Sequence, residues 1–377
     1  MPINENAPLN VIPGAIRFNT DSMKLEYYRG GPVGFGTTTT TGEWVQVVTE
    51  NYDSVGIGTT FAAGSSIGSG TRGVFGGGAI STGAGVNTID YVNISSTGNS
   101  VSFGTLTSSR GGMGGVASNT RGIFAGGYNP SPTPGTRFTA MDKITISSTG
   151  NGASFGSLSG GRNAIVSCSN ATRGIFAGGY QPTRINVIEY ITIASDGNPI
   201  DFGDLSQNIR AGGFSGGCAS STRGIIPLGV TSPLGVLNNI EFITISTLGN
   251  AADFGDLSIP RGPASCSNSV RGIFAGGVTP SGPGFAIVNN IDYITIAASG
   301  NAIDFGDLSG INGNVGSCAS PTRGLFVGGT LGPANTNRIE YVTIMSTGNA
   351  IDFGDITAAS NALENVASIS NGHGGLG

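Results

Sequence analysis

Six arginines stand at near-equal intervals in the chain: Arg72, Arg121, Arg173, Arg223, Arg271 and Arg323, separated by 49, 52, 50, 48 and 52 positions. A guanidinium offers five N–H donors in a planar fork, so a ring of them could hold carboxylates or phosphates. These six occupy one position of a repeat, whereas catalysis needs asymmetry. The stronger reading is therefore structural, with each arginine donating to carbonyls of a neighbouring repeat. Four acidic pairs, Asp201/Asp204, Asp253/Asp256, Asp304/Asp307 and Asp352/Asp355, lie in copies of DFGD. Residues three apart on a strand point to opposite faces, so no pair makes a carboxylate dyad. Turn capping and solubility of an outer strand fit them better than calcium, which needs more oxygens.

Cys168, Cys218, Cys266 and Cys318 each fall five positions before a marker arginine, and the matching places elsewhere hold Ile67, Val116 and Ile369. A slot that accepts Ile, Val or Cys is a buried apolar position, not a metal site or a disulfide framework. His373 is the single histidine, which leaves Ser-His-Asp, Cys-His and His-based metal chemistry one poor candidate. No cofactor, metal or catalytic residue is expected. A carboxylate-only glycosidase or lyase stays open without distinguishing residues.

These residues are positioned by a repeat of about 50 residues, the period of a propeller blade. Each copy reads as four strands. Strand a is a small-residue run (Ala264 to Ser267), strand b is RGIFAGG, strand c alternates (Ile291 to Ile296), and strand d carries DFGD (Ala302 to Leu308). A Gly-Asn pair recurs between c and d at Gly98-Asn99, Gly150-Asn151, Gly197-Asn198, Gly249-Asn250, Gly300-Asn301 and Gly348-Asn349, which reads as a tight hairpin. Glycine, 67 of 377 residues, implies close backbone approach, with the central axis as the simplest place for it.

The formal net charge of −5 and the lack of a basic cluster argue against nucleic-acid binding. No apolar run reaches the length of a membrane span, so no membrane insertion is expected. The opening MPINENAPLN lacks the regions of a secretory signal, which points to synthesis in a cytoplasm.

Residues 1–13 read as an N-terminal arm. Three strand-like runs follow within 14–48: Ala15 to Asn19, Lys24 to Tyr28 and Glu43 to Val48. Six repeats fill 60–356, and ASISN near the C-terminus, inside a closing segment 363–372, aligns with ASCSN at 264–268. Seven a strands against six b-c-d sets predict an all-β, kelch-like propeller spanning 14–377. Its seventh blade would combine the C-terminal strand a with the three N-terminal strands and leave no open edge. The spacing from Trp44 to Arg72 is 28 residues against 17 to 21 elsewhere, so Thr49 to Thr60 would have to be an inserted loop. The competing architecture is six blades plus a small N-terminal β module.

The doublets Gly126-Gly127, Gly178-Gly179, Gly276-Gly277 and Gly328-Gly329, with Tyr128 and Tyr180 after two of them and an aromatic on strand d (Phe103, Phe155, Phe202, Phe254, Phe305, Phe353), resemble kelch repeats. Departures are Phe for the usual Trp, and Pro227 in the fourth unit. The units TRGIFAGGY, IEYITIASDGN and IDFGDL, with GAIRFNTDSMKLEYYRG and GEWVQV, resemble virion-associated proteins of tailed phages infecting marine bacteria, especially cyanobacteria. The resemblance covers nearly the whole chain. It implies a fibre, tail-tip or capsid-decorating component in the virion, structural or host-recognising and not an enzyme. Its implied partners are other virion proteins and a host surface glycan or receptor. The b–c loops vary between units, from INV at 185–187 to NPSPTPGTRFTA at 129–140, and Tyr128, Tyr180 and Arg184 are the candidate contact residues. An intracellular kelch adaptor is the other alternative.

Overall fold

The computed structural model describes the strands Ile16–Asn19, Lys24–Gly30 and Gly42–Gln46, and residues 71–376 apart from 132, 211–215, 232–234, 282–283, 333 and 358–361. The expected arm at 1–13, the inserted loop at Thr49 to Thr60, and Ile67 lie outside the described residues. The chain divides into two compact units, Met1–Ser69 and Gly70–Gly377.

The second unit is a closed propeller of six blades, which corrects the expected seven. The C-terminal strand Ala367–Ser370 pairs antiparallel with Arg72–Gly76, placing Ile369 opposite Val74. It therefore supplies strand a of the first blade, whose order continues through Thr88–Asn93 to Val101–Thr105. The three N-terminal strands form a sheet of their own, in chain order. In the remaining blades strand a is Gly114–Ala117, Val166–Ser169, Cys218–Ala219, Gly262–Ser267 and Gly316–Ala319. Each a strand touches the next around the axis, and Ala367–Ser370 touches both Gly316–Ala319 and Gly114–Ala117, so the ring has no gap. Pro227 ends strand b of the fourth blade, Arg223–Pro227, without breaking it.

Neighbouring blades are clasped at three radii. At the axis, serines bond the preceding a strand: Ser169 Oγ donates to the Ala117 carbonyl at 3.0 Å, Ser267 Oγ to Ala219 at 2.8 Å and Ser317 Oγ to Ser265 at 2.7 Å. Between blades, each cysteine packs onto the glycine that follows the next marker arginine. A Cβ on Gly224 would lie 2.8 Å from Cys168 Sγ, and one on Gly324 would lie 2.6 Å from Cys266 Sγ. The RG pair is thus a knob-and-hole contact, and burial pushes the Cys168 and Cys266 thiols up to about 12.

The outer clasp explains the Gly-Asn pair differently from a hairpin turn. Chain reversal falls earlier, on bonds such as Ser96 N–H to Asn93 C=O and Ala298 N–H to Thr295 C=O. Gly-Asn then reaches across to the preceding blade. Gly300 N–H donates to the Phe254 carbonyl at 2.7 Å, and Asn301 Oδ1 accepts from Asp256 N–H at 3.1 Å. The same two bonds recur at all six junctions, the last joining Gly98 and Asn99 to Phe353 and Asp355. The glycine of each DFG-type strand makes room for this contact, so most of the close approaches lie between blades and not at the axis.

A ring of buried acids completes the core: Asp90, Asp142, Glu189, Glu241, Asp292 and Glu340, one on each strand c. Several accept bonds from residues at or just past the DFG-type segment of strand d in the preceding blade. Asp142 takes Thr107 N–H at 2.8 Å, Asp292 takes Ser258 N–H at 3.0 Å, and Glu241 takes Ser206 N–H at 3.3 Å. Three fully buried arginines answer them, as Arg110–Asp142 (3.2 Å), Arg162–Glu189 (2.6 Å) and Arg261–Asp292 (2.9 Å). A buried ion pair survives desolvation only with such additional bonds.

Candidate functional site

The six marker arginines are spent on closure. Each donates to a carbonyl of the next blade: Arg72 to Ile146 (3.0 Å), Arg121 to Ile193 (3.2 Å), Arg173 to Ile245 (2.8 Å), Arg223 to Ile296, Arg271 to Ile344 and Arg323 to Ile94 (3.1 Å each). Five also lie over the strand c aromatic, from 4.1 Å for Arg271 over Tyr293 to 4.8 Å for Arg223 over Phe242. In the second blade Lys143 takes the aromatic's place, and Asp196 compensates by pairing with both Lys143 and Arg121. A guanidinium flattened on a ring and bonded to a carbonyl has little left for a ligand.

The rim carrying the b–c loops is different because it is asymmetric. A short ladder sets Arg137 opposite Tyr128 within the second blade's loop. The Arg137 guanidinium lies between two rings, 5.0 Å from the centroid of Tyr128 and 4.7 Å from that of Tyr180, which belongs to the third blade. Tyr180 in turn bridges to Arg184. The stretch 185–187, read as a loop from the sequence, belongs to strand c, Ile185–Thr192. Ile185 pairs with Ile209 there, which places Arg184 beside Arg210, the last residue of the long strand Ile200–Arg210. Burial first, and then the charge of Arg184, lower the Arg210 pKa from its ordinary value.

Tyr128, Tyr180 and Arg184 thus meet in one half-buried cluster, to which the structure adds Arg137 and Arg210. Arg137 lies in a loop without periodicity, and its only sequence signal is a cation flanked by two tyrosines that the repeat brings to equivalent places. Nε of Arg137 and Nε of Arg184 are both buried without a hydrogen-bond acceptor among the described residues. Only Arg137 is stacked on aromatic faces; Arg184 meets Tyr180 through the backbone bridge.

The opposite rim, where a–b turns lie, is closed by the C-terminal tail. A Cβ on Gly374 or Gly375 would overlap carbonyl oxygens of Asn268, Ala219 and Ser169, so the tail crosses three blades at the axis. His373 beside them lines the axial cavity of about 60 Å³ with Cys168, Cys218, Cys266 and Cys318. Gly375 N–H donates to His373 Nδ1 at 3.2 Å, so Nε2 carries the proton and donates to the Ala117 carbonyl at 2.9 Å. Burial lowers its pKa to about 4. The paired aspartates stay apart: Asp201, Asp253, Asp304 and Asp352 are exposed, and the backbone N–H groups of Asp204, Asp256, Asp307 and Asp355 serve the outer clasp.

Among the described residues no group of three or more His, Cys, Asp or Glu side chains is placed to hold a metal ion, and no helix is long and apolar enough to cross a membrane. Compared with family models and with curated proteins, the chain matches none.

Proposed function

We propose that this chain is a non-catalytic structural component of a tailed-phage particle, a fibre, tail-tip or capsid-decorating protein that presents its b–c loops to a host surface glycan or receptor. The reading rests on the repeat-level resemblance that runs through nearly the whole sequence. The observation that carries the display role is the division of labour between the rims. Closure uses one marker arginine and one Gly-Asn clasp in every blade, while among the described residues the b–c rim bears its Arg-Tyr cluster on the second and third blades. A ring locked in this way holds variable loops still, which lowers the entropy lost on binding. The propeller is the architecture of a structural or interaction module, and the particle is the partner proposed for it.

Mass spectrometry of purified particles, with antibody labelling to locate the protein, tests this directly. A defined position on the particle is the expected result. Absence from particles, with the protein free in infected cells, would overturn the reading and favour an adaptor or an enzyme.

A further inference from the structure

We propose that the segment around His373 is a pH-sensitive latch, seated over the axial cavity while the imidazole is neutral and released from the a–b rim when it takes up a proton, with the six-bladed ring left intact. This goes beyond the display reading and does not depend on it.

The two ring nitrogens have tasks that only the neutral form performs together. Nδ1 accepts the Gly375 N–H at 3.2 Å, and Nε2 donates to the Ala117 carbonyl at 2.9 Å. An imidazolium carries a proton on both nitrogens and accepts nothing. Protonation therefore sets Nδ1–H against the Gly375 N–H, and one of the two has to move. The new charge would also face a lining of serines, cysteines and small residues. The titratable side chains there are the thiols of Cys168, Cys218, Cys266 and Cys318, and burial pushes all four up, so they stay neutral in acid. The marker arginines of the same rim turn outward, to carbonyls of the next blade.

His373 is also the point on which the segment hangs. Its carbonyl accepts the Leu376 N–H at 3.0 Å, which closes the short 3-10 turn Gly374–Leu376. Gly374 and Gly375 are buried in that turn, and a Cβ on either would overlap carbonyl oxygens of Asn268, Ala219 or Ser169. The seat therefore fits this turn closely, and losing the turn empties it. On the other side of His373 the hold is of a different kind. Asn371 Oδ1 accepts the Arg72 N–H at 2.7 Å, and the Asn371 N–H donates to the Arg72 carbonyl at 3.4 Å. Those bonds do not involve the imidazole, so opening stops at Asn371 and Ala367–Ser370 stays paired with Arg72–Gly76.

Seated, the imidazole has a pKa of about 4; released, it returns to the ordinary 6.5. The released state takes up the proton first, so the latch is fully closed above about pH 6.5 and loosens as pH falls towards 4.

Hydrogen exchange of the full chain, read by mass spectrometry at pH 7 and pH 4.5 and divided by the intrinsic rate at each pH, tests the latch. Protection of Gly374–Leu376 should fall about tenfold at pH 4.5, less than the full shift would give because the ring is half-buried. Arg72–Gly76 should keep its protection. His373→Gln, neutral throughout, should protect the turn equally at both pH values, and His373→Lys, charged throughout, should leave it open at both. Gly374→Ala, whose Cβ would overlap the Asn268 carbonyl, should give the open state without any titration. Equal protection of the turn at the two pH values, the same acid loss in His373→Gln, or a closed turn in His373→Lys would overturn the latch. A parallel loss in Arg72–Gly76 would also overturn it, because the ring and not the segment would then be opening.

Discussion

A methyl group at Gly255 should cost more than one at Gly300, although the two glycines face each other across the junction of the fourth and fifth blades. Gly255 has φ +146°, and a Cβ there would overlap the carbonyl oxygen of Gly300. A Cβ on Gly300 meets nothing within 4 Å. Gly255→Ala must therefore adopt a backbone that L side chains avoid, about 1–2 kcal/mol, and push the clasp away. That displacement breaks the Gly300 N–H to Phe254 C=O and Asp256 N–H to Asn301 Oδ1 bonds, each worth roughly 0.5–1.5 kcal/mol. The sum is about 2–5 kcal/mol. With an unfolding entropy near 2.1 cal/mol/K per residue over roughly 300 residues, this is a fall in Tm of about 3–8 °C. Gly300→Ala should stay within about 1 kcal/mol, or roughly 2 °C. Differential scanning calorimetry of the two variants decides the matter. Equal losses would mean that the clasp does not exist in this form, because composition and helix or strand propensity are the same for both.

Arg162→Met leaves Glu189 buried without its cation, which should destabilise the ring by about 3–5 kcal/mol, and Arg162→Met with Glu189→Leu should recover part of that; urea denaturation of the single and double variants measures the difference. His373 gives a pH dependence. Its folded pKa of about 4 lies below the ordinary 6.5, so the unfolded chain takes up the proton first, and the stability is whole above about pH 6.5 and is lost as pH falls towards 4. Because the ring is half-buried, this amounts to about 1–2 kcal/mol. His373→Gln should flatten the difference between melts at pH 7 and pH 4.5, and an unchanged slope would assign the loss to other groups.

The sequence made the blade legible because its signals are local. The marker arginines give the period, the alternation of Ile291 to Ile296 gives strand c, and ASISN is recognisable as a strand a. Its partner was not legible, since the small residues of strand a suit any adjacent b strand and pairing across nearly 300 residues leaves no trace in composition. The 28-residue step from Trp44 to Arg72 was the visible sign that the N-terminal strands stand outside the repeat. The buried acids were hidden for another reason. Asp292 in an alternating strand looks solvent-facing, and only the arrival of Ser258 from the end of the preceding blade, with Arg261 at the entry to its own strand a, makes it an interior residue. Arg137 was missed because loops carry no period. The repeat placed Tyr128 and Tyr180, but nothing in the loop's spacing says that a cation lies between them.

Closure of six blades by the C-terminal strand is the claim on which the two rims depend, and deletion of residues 1–69 tests it most directly. If Ala367–Ser370 completes the first blade, the shortened chain keeps one cooperative thermal transition within a few degrees of the intact protein. Deletion of residues 367–377 instead exposes Arg72–Gly76 as an open edge and abolishes that transition. Loss of cooperative folding on removing residues 1–69, with the C-terminal deletion tolerated, would contradict the six-bladed ring.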